Sequence, residues 1–293
     1  MNIIEVFKRF PTQADCISHL EKIRWNDVPK CPYCGSDNST SLTKEQRHHC
    51  NNCNTSYSVT VGTIFHQTHL PLQKWFLAIS LILNAKKGIS ARQLGRHLEV
   101  HRNTAWRISM KIREAMSQRE QRRLLTGMVE MDETYIGPRK PRKKYPDQKF
   151  VGGAGSQKQP VVGMVERDGN VVAKMVKRRG GLTSKKLCSL IRNHVDTENA
   201  ILLTDQYKGY CDVHKLLPHK TVNHSVWYVA DDGTHTNTIE SFWALLKRGI
   251  VGQYHKVSLE YLPKYIDEFT FRFNHRNEPD LFSLALNLAV GAR

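Results

Sequence analysis

The chain has 293 residues, enough for one substantial core and one or two small modules. Hydrophobic residues make up 40% and charged residues 24%, ordinary for a soluble globular protein, and no apolar stretch reaches the roughly 18–20 residues of a membrane span. Charge is the outlier: 44 Lys and Arg against 27 Asp and Glu give +17, which favours a polyanionic partner through counterion release and leaves open DNA, RNA or neither.

The N-terminus, MNIIEVFKRF, lacks a signal-peptide layout. Of the seven cysteines, four form two CxxC pairs and Cys16, Cys188 and Cys211 are scattered, which points to a reducing compartment with one metal site. Cys31 and Cys34 are followed, after 15 residues, by Cys50 and Cys53. Paired CxxC turns each present two thiolates to one ion, so this spacing predicts a structural Zn²⁺ ribbon over about residues 1–65. Gly35 supplies backbone freedom for the first turn, and Tyr57, Val59 and Val61 alternate as in a short strand. His48 and His49 are rival ligands, set aside because four thiolates complete the site.

Residues 66–125 read as a helical module. Pro71 opens a helix with Trp75, Phe76, Ile79 and Ile82 among its core candidates, and Gly88 ends it. Ser90 is placed to cap ARQLGRHL, a turn follows at Glu99-Val100-His101, and RNTAWRISMKIREAM makes the second helix. This is a helix-turn-helix layout. Ala105, Ile108, Ile112 and Ala115 or Met116 fall on its core face. Arg102, Asn103, Trp106, Arg107 and Lys111 point elsewhere and are the candidate DNA contacts, the first two toward base edges and Arg107 and Lys111 toward phosphate. The plain alternative is a helical hairpin with a solvated basic face.

Residues 126–293 read as α/β. GMVEMDETYIG is strand-like, and a basic loop follows from Arg139 to Lys149, a candidate for tracking phosphates or a solvated loop. A hairpin turns at Asp168-Gly169-Asn170. A helix over LTSKKLCSLIRNHV leads to a strand that ends at Asp205, KTVNHSVWYV reads as another strand, and the helices TIESFWALLKRGIV and LEYLPKYIDEFTFRFNHR follow. That order is the order of a ribonuclease-H-like fold. Its carboxylates Asp132, Asp205 and Glu240 sit at element boundaries, and oxygen ligands suit Mg²⁺ or Mn²⁺. Glu130 and Glu133 are rivals to Asp132; strand alternation puts Glu130 on its face and Glu133 on the other. Asp205 alternatively caps a turn, and Asn237 to Glu240 has capping-box spacing. Lys247 lies two turns beyond Glu240 on the same face, where a cation could hold a phosphate.

The chain closely resembles bacterial insertion-sequence DDE transposases, in particular the group with an N-terminal zinc ribbon. The resemblance runs over nearly the whole length. It is carried by Asp132-Glu-Thr-Tyr-Ile-Gly137, Thr204-Asp205 with Tyr207-Lys-Gly-Tyr210, His235-Thr-Asn-Thr-Ile-Glu240, Leu246-Lys-Arg-Gly-Ile-Val251, Tyr254-His255 with Val257-Ser258, and Glu268-Phe269 running to Phe273-Asn-His-Arg276. It implies catalysis by Asp132, Asp205 and Glu240 with Mg²⁺ or Mn²⁺, an auxiliary role for Lys247, and Zn²⁺ on the four ribbon cysteines. The implied partners are double-stranded DNA, as terminal inverted repeats and target, and a second copy in a homodimer or larger assembly on DNA; the implied place is the bacterial cytoplasm at the nucleoid. Rival readings are a DNA-binding protein that cleaves nothing, which has no reason to keep three repelling carboxylates, and a nuclease for RNA–DNA hybrids, which has little need for DNA-docking modules.

Overall fold

In the computed structural model the described residues are 1–117, 123–137, 158–177, 181–222 and 235–291. The chain divides into two compact units, Met1–Gln118 with Asn277–Arg293, and Arg119–Arg276. The loop 138–149 and most of the strand expected over 220–229 lie outside the described residues. Among those described, no helix is long and apolar enough to cross a membrane.

The first unit opens with α1 (Ile3–Arg9) and α2 (Gln13–Trp25), each started by a capping box, Asn2 with Glu5 and Thr12 with Asp15. A small antiparallel sheet follows, β1 (Ser39–Leu42), β2 (Arg47–Cys50) and β3 (Thr55–Tyr57). Then come α3 (Leu72–Asn84), α4 (Ala91–Leu98) and α5 (Arg102–Ser117). The last helix, α9 (Leu281–Gly291), packs on α2, α3 and α5. Its Phe282 joins an aromatic cluster with Phe10 and Phe76, and its Ala289 carbonyl accepts from the Ile64 N–H at 3.2 Å. The expected domain 126–293 thus spans residues of both compact units. The apolar run LFSLALNLAVG buries Phe282, Leu286 and Ala289 in the N-terminal unit. The ribbon and helix-turn-helix segments likewise share one compact unit.

The second unit is built on a five-stranded sheet of order β6-β5-β4-β7-β8. The strands are β4 (Leu125–Ile136), β5 (Gln159–Glu166), β6 (Val171–Met175), β7 (Val195–Asp205) and β8 (His219–Val222). β4, β5 and β6 form an antiparallel meander, and β7 and β8 add in parallel on the other side of β4. This is the ribonuclease-H-like arrangement that the element order predicts. The β5–β6 turn falls at Asp168 and Gly169, as expected, with Asp168 in the left-handed region at φ 57°. All eight residues of β5 are buried, because helices cover both faces. α6 (Ser184–His194) packs on the face that carries Val129, Met131 and Leu202. α7 (Asn237–Arg248) and α8 (Leu262–Asn274) pack on the face that carries Ile136, Val161 and Val165. A six-residue π-helical turn, Gly249–Tyr254, follows α7.

Candidate active site

Strand register sets the first two carboxylates. On the parallel β4–β7 pair Val129 faces Leu202 and Glu130 faces Leu203, where the paired register ends; Asp132 and Asp205 each lie two residues further along their strands. Val129, Met131 and Leu202 point into the α6 side of the core. Alternation therefore turns Glu130, Asp132 and Asp205 to the α7 side. At the end of β7 the Asp205 carboxylate also accepts from the Tyr207 N–H at 3.0 Å, which fixes its rotamer. An added Cβ at Gly209 would lie 2.3 Å from the Tyr207 ring, so Tyr207-Lys-Gly-Tyr210 needs its glycine for this turn to close.

Helix α7 brings the third. Asp132 pairs with Gly163 on β5. A Cβ at Gly163 would stand 2.5 Å from the Trp243 ring and 2.8 Å from Ile239. Glycine is required here so that α7 can seat Trp243 and Ile239 on the sheet beside Asp132. Glu240 lies in the first turn of α7 and is exposed. Lys247 is exposed two turns further along.

The capping-box expectation for Asn237 is corrected. Asn237 is the first helical residue, and the N-cap Thr236 gives no side-chain cap to the backbone. Instead the Glu130 carboxylate on β4 accepts from the Thr238 N–H at 2.8 Å and the Ile239 N–H at 3.1 Å. The Thr236 hydroxyl donates to Glu240 at 3.2 Å. Sequence reasoning weighed Glu130 only as a rival ligand; the available signal was a carboxylate between Val129 and Met131 in a buried strand, which must find partners.

The electrostatics join the trio. Burial pushes the Asp132 carboxyl up to about 6, and the charges of Asp205 and Glu240 push the same way, against the Glu133 backbone N–H; the Trp243 indole lies nearby. That indole N–H is buried with no hydrogen-bond partner among the described residues. A buried carboxyl raised partly by two neighbouring carboxylates, one of them exposed, fits a divalent cation, which would relieve the repulsion. Among the described residues no three acidic groups bring their oxygens within 4.8 Å of one another. On the opposite face Glu133 is raised to about 7, first by burial and then by Asp132 and Asp205, while the Tyr210 hydroxyl donates to it at 2.9 Å.

The cysteines converge more tightly. The four Sγ atoms all lie within 4.8 Å of one another, with Cys31–Cys53 at 3.6 Å and Cys34–Cys50 at 3.5 Å. A tetrahedral Zn²⁺ with Zn–S near 2.3 Å needs sulfurs about 3.8 Å apart. The Cys53 backbone N–H points at Cys50 and is the main cause of lowering that thiol to about 6. Gly35, at φ 77°, donates to the Cys31 carbonyl and closes the first turn. His48 is held by Glu21 at 2.8 Å and packs on Trp25 and Tyr57, while His49 contacts Ser56 and Asn54.

The helix-turn-helix forms where expected. Glu99 adopts φ 52°, and Gly95 lets the turn pack, since a Cβ there would be 2.9 Å from the Val100 carbonyl. Ala105, Ile108, Ile112, Ala115 and Met116 are buried. Arg102, Asn103 and Arg107 are exposed and Trp106 is half-buried. Lys111 departs from expectation: its Nζ donates to the Ile64 carbonyl at 2.9 Å and lies 6.0 Å from the Trp75 ring centre. It serves the unit's own packing, because a long side chain at a half-buried position reaches inward.

Residues 124–274 match the model of the ISXO2-like transposase domain, and residues 11–56 match a transposase zinc-ribbon domain. The chain belongs to the ISXO2-like transposase family. This transposase is 25% identical to the "Uncharacterized protein in transposable element ISH50" of Halobacterium salinarum, across 90% of this chain and 92% of that one. Crystal structures of the Mos1 strand transfer complex and of a pre-cleavage Mos1 transpososome align with TM-scores of 0.32 and 0.29, at 15% and 16% identity. They cover 74% and 71% of this chain and 78% and 76% of those chains. As an insertion-sequence DDE transposase, the chain is a metal-dependent polynucleotidyl transferase.

Proposed function

We propose that Asp132, Asp205 and Glu240 hold two Mg²⁺ or Mn²⁺ ions and that this site nicks the element's ends and joins the freed 3′-hydroxyls to target DNA. The observation that carries this reading is that Asp132 and Asp205 each lie two residues past the Glu130–Leu203 pair on adjacent parallel strands, and that the charges of Asp205 and of Glu240, in the first turn of α7, both act on Asp132. The ions, when bound, stabilise the attacking and leaving oxygens at the phosphate. Asp205 is oriented by the Tyr207 N–H, and exposed Glu240 faces incoming substrate from the helix start. Lys247, two turns along, supplies positive charge for a flanking phosphate.

The four cysteines hold a structural Zn²⁺, and exposed Arg102, Asn103 and Arg107, with half-buried Trp106, read the terminal inverted repeats. Joining two ends requires two active sites together, hence a dimer or larger assembly on DNA. The test is a labelled duplex carrying the element's own terminal repeat, incubated with Mg²⁺ and wild type or Asp205→Ala. Cleavage and joining should fall by at least roughly a thousandfold in the variant, since the metal contribution is several kcal/mol. Equal cleavage by both proteins would place the active site elsewhere.

A further inference from the structure

Glu130 is fully buried, with relative exposure 0%. A carboxylate there survives only if its lone pairs are taken. Its Oε1 receives Arg167 Nε at 3.0 Å and the Thr238 hydroxyl at 3.0 Å; His235 Nδ1, which accepts from the Asn237 N–H, lies 3.2 Å from it. Its Oε2 receives the backbone N–H groups of Thr238 and Ile239. A carboxylate offers about four lone-pair sites, so none remains for a metal. The donors come from two places distant in sequence: the β5–β6 turn, and the segment that enters α7, more than 100 residues from Glu130. Arg167 also ties those places together, donating from Nη2 to the His235 carbonyl at 3.1 Å and from its backbone to the Met128 carbonyl at 3.0 Å.

This anion sits two residues before Asp132, and the N–H groups it holds sit two and one residues before Glu240. The helix has no side-chain cap of its own, so Glu130 is what satisfies its start. The body of α7 is anchored separately by Ile239, Phe242, Trp243 and Leu246 in the core. We infer that Glu130 is a positioning residue. It clamps the first turn of α7 to β4 and thereby sets the span between Asp132 and Glu240 across the metal site. This inference rests on the carboxylate reading given above.

The experiment uses the full-length protein and two variants. Glu130→Gln keeps the shape but puts an N–H donor among donors. Thr238→Val removes one hydrogen bond and keeps the shape. Mn²⁺ affinity is read by the electron paramagnetic resonance signal of free Mn²⁺, alongside kcat and KM for the end duplex and the melting temperature. For Glu130→Gln, Mn²⁺ affinity and kcat should each fall about 10- to 100-fold, as for residues that orient metal ligands, with KM for DNA within about twofold. Thr238→Val should move the same two quantities in the same direction by less. A merely structural role would lower melting temperature and active fraction while the folded protein kept its Mn²⁺ affinity, and that result overturns the inference. Should Glu130→Gln fail to fold, Thr238→Val decides by the same criterion. With Asp205→Ala as control, an inactive control beside two wild-type-like variants defeats only the positioning role. An active control defeats the carboxylate reading itself.

Discussion

The cysteine and carboxylate sites are assembled by opposite strategies. Four thiols come from two short turns within 23 residues, Cys31 to Cys53, and their sulfurs are already gathered within 4.8 Å. The carboxylates come from two strands and a helix spread over Asp132 to Glu240, and their positions depend on register, a glycine notch and a remote cap. A local site is a folding nucleus for its own module. A dispersed site inherits its geometry from a finished sheet. The first should therefore fail by unfolding, the second by misplacement.

The largest expected effect is at the cysteines. Structural Zn²⁺ contributes on the order of 10 kcal/mol to such a module. Cys34→Ser, or a strong chelator, should abolish the ribbon's order, read as rapid limited proteolysis near residues 31–53 with loss of bound zinc. A ribbon that stays protease-resistant without zinc would remove the contrast.

A smaller effect is expected at Gly163→Ala. The added methyl meets Trp243 and Ile239 at 2.5–2.8 Å, so α7 must shift. Overpacking of this kind costs about 1–3 kcal/mol. Melting temperature should drop by several degrees, and joining activity should fall further than that loss of stability explains. Unchanged activity would mean that the approach of α7 is not critical.

The smallest effect is on pH. The Asp132 carboxyl is raised from 3.8 to about 6 by burial and then by Asp205 and Glu240. Between those values the folded protein keeps a proton that the unfolded chain has released, so Asp132 lowers metal-free stability as pH rises through that window. Metal requires the ionised form, so Mn²⁺ affinity should weaken about tenfold per pH unit below about 6. In Asp132→Asn the melting-temperature difference from metal-free wild type should shrink on acidification from pH 6 to pH 4. A Mn²⁺ affinity flat across that range would contradict the repulsion that links the trio.

What the sequence revealed follows the same division. The CxxC pairs and the helix-turn-helix are short-range patterns, and both form where their residues place them. Strand alternation was enough to put Asp132 and Glu130 on one face and Glu133 on the other. It could not show that Glu130 caps a helix more than 100 residues away, because nothing local encodes that pairing. Likewise α9 reads as an ordinary apolar helix, and only its packing on α2, α3 and α5 reveals which unit owns it. Nor could spacing on a helix show that Lys111 meets the Ile64 carbonyl, which lies 47 residues away.

That ownership of α9 has a genetic corollary. The first unit is interrupted by the second and is completed by residues 277–293. A reading-frame lesion late in the gene would leave every acidic residue of the trio translated, along with the whole sheet beneath it. It would strip Phe282 from the aromatic cluster of the first unit. Copies shortened there should thus lose the order of the first unit before that of the second.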